Sequence, residues 1–163
     1  AKVFRRWKVS FESLYQQIIL DHSKLKSGKG AVDQFPVTSF QVNPTCGDEV
    51  TLGLEVDEDG KIASLAWKGD GCSISQASLS MMSEMLLGAT VEEAAVKYAA
   101  MYEMMHSRGK GVSDDVLDTL EDAASLEGTS KFANRVKCSL LGWYAVRDVL
   151  AQLGYNVQAE NEG

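Results

Sequence analysis

The chain has 163 residues, 45% of them hydrophobic, which is enough for one globular domain with a real core. Its formal charge of -7 excludes phosphate-backbone binding as a main activity, because that mode needs dense Lys and Arg to displace counterions. No apolar run is long enough to span a bilayer and no secretory leader pattern opens the chain, so the expectation is a cytoplasmic protein with neither nucleic-acid nor membrane partners.

Residues 1–9, AKVFRRWKV, form a basic, aromatic opening that reads as an appended segment, a disordered arm or an extension of the first helix. The expected domain runs over 10–154, and 155–163 is a polar tail expected to fray. Phe11, Leu14, Tyr15, Ile18 and Ile19 recur at helical spacing behind Ser10, a suitable N-cap, which predicts a helix to about Asp21. SKLKSGKG breaks it. Three strand candidates follow: VTSFQVN, then VTLGLEVD with its alternating Val50, Leu52, Leu54 and Val56, then KIASLAWKG. DEDG at 57–60 is a hairpin turn signal that makes the second and third strands antiparallel neighbours.

Beyond the strands the period changes. Ile74, Ala77, Ser78, Met81, Met82, Met85 and Leu86 follow a helical stripe stopped by Gly88. Thr90 with Glu93 reads as a capping box for a further helix reaching about Ser107. VSDDVLDTLEDAASLEG mixes helical periodicity with turn formers, and SKFANRVKCSLLGWYAVRDVLAQLG is a long closing helix. This order predicts an α+β fold, a small three-stranded antiparallel sheet with helices packed on one face.

The three cysteines, an odd number in a chain that needs no staples, suit a reducing compartment. Cys46 falls in the turn between the first two strands, Cys72 where the third strand gives way to a helix, and Cys138 early in the closing helix. Antiparallel topology brings Cys46 and Cys72 to one sheet edge, and Cys138 joins them if the closing helix packs its start over that edge. Three cysteines without a CxxC spacing are compatible with plain buried thiols, but glycine-flanked loop positions are poor core material. Thiolates suit zinc or iron-sulfur chemistry, and Asp48 offers a fourth, tetrahedral ligand. Asp70 reads as a turn residue, and His22 and His106 as solvated polar side chains. The Met81, Met82, Met85 and Met101, Met104, Met105 groups read as core or partner-facing stripes.

LYQQIILDH, NPTCGDEVTL, GDGCSISQAS and RVKCSLLGW together resemble, in order and spacing, the blocks of the U-type iron-sulfur assembly proteins, SufU and IscU, over nearly the whole chain. The resemblance is to the SufU branch of this NifU N-terminal-like family. Scaffold-type IscU proteins carry a histidine just before the third cysteine, where this chain has Lys137, and the acidic segment from Arg108 to Gly128 looks like the insertion that marks SufU. The resemblance implies zinc held by Cys46, Asp48, Cys72 and Cys138. It further implies a sulfurtransferase in which Cys46 accepts persulfide sulfur from a pyridoxal-phosphate cysteine desulfurase of the SufS type, with a partner histidine replacing Cys46 on the metal. Downstream cluster-assembly proteins are further expected partners. Arg135, one helical turn before Cys138, matches a basic position of the family and would balance the net -2 of three thiolates and a carboxylate on a divalent ion. The alternatives are a scaffold that builds an iron-sulfur cluster on the same cysteines, and a purely structural zinc module. The chain departs from its relatives at SKLKSGKG, where they have a His-Pro turn, and at FANR, where they carry a proline.

Overall fold

A computed structural model of the chain describes residues 2–159 and 162, with side chains from residue 12 onward. The first helix, α1, spans Lys2–Leu25 and so begins well before Ser10. The basic opening is thus an extension of that helix, and Ser10 lies inside it instead of capping it. Lys26, with φ of 50°, ends the helix, and the backbone of Gly28 and Gly30 then pairs with Trp67.

The three strands are β1 (Thr38–Asn43), β2 (Asp48–Val56) and β3 (Ile62–Lys68), antiparallel in the order β1-β2-β3. Asp57 closes the β2–β3 hairpin, its carboxylate accepting from the N–H groups of Asp59 and Lys61. Val50, Leu52 and Leu54 of β2 and Ile62 and Trp67 of β3 are buried in the core. β1 is inverted relative to this pattern. Its inward positions, paired with Leu52, Val50 and Asp48, are Ser39, Gln41 and Asn43, while Phe40 and Val42 are exposed.

Helices cover the inward face. They are α2 (Ser73–Leu86), α3 (Val91–Met105), α4 (Asp114–Leu120) and α5 (Ala133–Gln152), with a 3-10 segment over Glu121–Lys131 between the last two. Thr90 caps α3 by accepting from the Glu93 N–H, and its hydroxyl reaches the Glu93 carboxylate. α5 lies across β1 and β2 and against α2, while α2 also packs on α1. Met81, Met82, Met101, Met104 and Met105 are buried among these helices, so the methionine stripes are core.

Two further expectations fail. The tail does not fray over its described part: Val157 and Ala159 are buried, Glu162 accepts a hydrogen bond from Tyr98 and pairs with Arg147. His22 is buried, not solvated. Its ring bridges Ser80 of α2, at 2.8 Å, and Asp122 of the 3-10 segment, at 2.9 Å. His106 is exposed and stacks on Tyr102. No helix among the described residues is long and apolar enough to cross a membrane.

Candidate metal centre

The cysteine edge is built by the turn that links β1 to β2. Asn43 and Asp48 are register partners across the strands, so only residues 44–47 make the reversal. The Cys46 N–H reaches the Asn43 carbonyl, and Gly47, with φ of +71°, takes the left-handed conformation that favours glycine. Cys46 is left exposed. Two residues on, Asp48 falls on the same parity as Val50 and Leu52, which carries its carboxylate to the inward face at 0% exposure.

β3 runs antiparallel to β2 and returns the chain to the same edge. There the Glu49 N–H bonds the Asp70 carbonyl, and Cys72 becomes the N-cap residue of α2. The Cys72 N–H donates to Asp48 Oδ1 at 2.8 Å, and Cys72 Sγ lies 3.8 Å from Oδ2. One carboxylate oxygen is thus fixed by backbone while the other faces sulfur. Gly71 makes this approach possible, since a Cβ there would sit 2.6 Å from Asp48 Oδ1 and 2.4 Å from Ser75 Oγ. Cys138, in the second turn of α5, closes the cluster from above at 2% exposure.

The ligand atoms of Cys46, Asp48 and Cys138 all lie within 4.8 Å of one another, and Cys72 joins them through Asp48. Burial first, then hydrogen bonding to Asp48, Cys46 and Cys72, pushes the Cys138 thiol far above its ordinary pKa. Among the described side chains no Lys, Arg or His forms an ion pair with Asp48, although a fully buried carboxylate is costly without a cation. Three soft sulfurs and one hard oxygen form a donor set suited to a divalent, thiophilic ion. The donor set fits zinc.

Arg135 is exposed on the first turn of α5, with its guanidinium over the Phe132 ring at 4.9 Å. Lys137 is exposed as well, and Asp70 contributes its backbone carbonyl to the edge. Sequence reasoning passed over Asn43. Its side chain is buried, and Nδ2 lies 3.6 Å from Cys138 Sγ.

Residues 14–150 match the family model described as NifU-like N terminal domain. The chain is 36% identical over 146 residues to the zinc-dependent sulfurtransferase SufU of Bacillus subtilis, covering 90% of this chain and 95% of that protein. It is 37% identical over 137 residues to the iron-sulfur cluster assembly scaffold protein IscU of Streptococcus pyogenes, covering 84% and 82%. Among solved structures it resembles the N-terminal NifU-like protein of Brucella abortus, with a TM-score of 0.72 and 26% identity over 83% of this chain and 91% of that one. The family match and these likenesses agree, and the chain belongs to the NifU-like N-terminal domain family, with SufU and IscU among its relatives.

Proposed function

We propose that this protein is a zinc-dependent sulfurtransferase of iron-sulfur cluster assembly, accepting persulfide sulfur from a SufS-type cysteine desulfurase. The observation that carries the reading is the unequal exposure of three clustered thiols: Cys46 is exposed, Cys72 half-buried and Cys138 buried. Cys46 is the one most open to a partner's sulfur. The likeness to a relative named as a zinc-dependent sulfurtransferase supports the same choice.

Cys46, Asp48, Cys72 and Cys138 would hold the ion. Zinc, when bound, keeps sulfur ligands deprotonated and brings no redox chemistry of its own. In the transfer the Cys46 thiolate attacks the outer sulfur of the donor persulfide. One S–S bond forms as another breaks, the donor cysteine leaves as thiolate, and no external oxidant or reductant is consumed. In this reading Arg135, one helical turn before Cys138, would supply charge balance to the anionic edge, and the exposure of Cys46 would give the partner access.

A second reading is favoured by the relative named as a scaffold, at nearly the same identity. In it the same four residues carry an iron-sulfur cluster as cargo. Two measurements separate the readings: metal content of aerobically purified protein, and desulfurase turnover with and without it. One zinc per chain with stimulated turnover supports the transferase, and Cys46→Ala is expected to bind the desulfurase while accepting no sulfur. No stimulation, with cluster absorbance after anaerobic iron and sulfide addition, would favour the scaffold. Sulfur acceptance by Cys46→Ala would overturn the transferase assignment of that residue.

A further inference from the structure

Asn43 is the last residue of β1 and is linked to three of the four residues of the edge. Its carbonyl accepts from the Cys46 N–H at 3.3 Å, its register partner is Asp48, and its Nδ2 donates to Cys138 Sγ at 3.6 Å. The side chain lies on the inward face of an inverted strand and is 3% exposed, where an amide needs a partner. Its partner is a sulfur from another element. None of the hydrogen bonds among the described side chains gives Cys46 Sγ an amide donor, and Cys72 Sγ faces a carboxylate.

An N–H bond to a metal-held sulfur withdraws electron density from it and fixes its direction, as outer-shell partners do at metal sites generally. The sulfur that receives the bond becomes the weaker nucleophile. We infer that Asn43 is a positioning residue that decides which thiol takes the incoming sulfur, holding Cys138 as a spectator ligand so that Cys46 is the one that reacts. This inference rests on the zinc sulfurtransferase reading, and it extends that reading from access to electronic selection.

The test begins with the unaltered chain loaded with cadmium-113. A scalar coupling between the metal and the Asn43 side-chain amide proton, carried through Cys138 Sγ, is expected, and a thiolate-ligated cadmium signal without that coupling would overturn the inference. Absence of any thiolate-ligated cadmium signal would instead bring down the zinc reading on which it stands. Asn43→Leu removes the donor at similar volume. In the cobalt-loaded variant the sulfur-to-metal charge-transfer band is expected at lower energy than in wild type, while a merely structural residue would leave it in place. After a desulfurase pulse, alkylation and peptide mapping should find sulfane sulfur on Cys46 in wild type, and on the order of tenfold more on Cys138 in the variant. Asn43→Gln, which keeps the amide, should return both readouts toward wild type. An unmoved band with sulfur still confined to Cys46 in Asn43→Leu would overturn the inference.

Discussion

Asp48 sits where three requirements meet: β-strand parity buries it, the Cys72 N–H fixes one oxygen, and the sulfurs need the other. Gly71→Ala is expected to push that carboxylate aside, because the added methyl would stand 2.6 Å from Oδ1. Metal affinity should fall by about 10–100-fold, as read by competition with a chromophoric chelator, with little loss of helix signal. The positions of Cys46 and Cys72 were legible from the sequence because antiparallel strands send alternate ends to the same edge. Asn43 was not legible. Its contact with Cys138 spans 95 positions, and a lone asparagine before a proline reads only as a turn former. The same holds for His22, whose partners Ser80 and Asp122 are 58 and 100 positions away.

The strands and hairpin followed from local rules, since the alternation of β2 and the Asp57 turn each carry their own signal. β1 shows where those rules stop. Alternation there marks a strand, but the apolar side faces out and the polar side, ending in Asn43 opposite Asp48, faces the core. The 3-10 segment is fastened to α1 and α2 through the His22 ring. Removing that clasp with His22→Ala leaves Ser80 Oγ and the Asp122 carboxylate without their ring partner, at a cost on the order of 2 kcal/mol. The expected signs are a Tm lower by about 4–8 °C and faster amide exchange over 121–131. A different clasp holds the tail. Burial raises the Glu162 pKa, but hydrogen bonds from Tyr98, the Ala159 N–H and Arg147, together with the Arg147 charge, outweigh it and leave the pKa lowered. The stabilisation is therefore fully present above the ordinary carboxylate range and is lost as pH falls through the lowered folded value. Denaturation curves of wild type and Glu162→Gln should differ at neutral pH, draw together once the pH falls below the ordinary carboxylate range, and coincide only below the lowered folded pKa of Glu162.

Helix, meander and helical cover make one family fold, and its core includes many residues whose periodicity announced them, such as Leu52, Met82, Leu86 and Met101. The described tail is the exception: with no periodic pattern to mark it, Val157 and Ala159 are inserted into that core all the same. An ion bound only to the folded chain stabilises it by mass action, by roughly 2.7 kcal/mol at a free concentration 100 times Kd. Zinc-loaded protein should accordingly melt higher than chelator-treated protein, and Asp48→Ala should abolish most of the difference. The reach of the edge across the chain also has a meaning in time. Asn43 is synthesised 95 residues before Cys138, an interval on the order of 5–20 s at typical elongation rates of roughly 5–20 residues per second. Until α5 docks, the growing polypeptide would present Cys46, Asp48 and Cys72 without Cys138, so the candidate set of four donors closes only when that helix packs on the sheet edge.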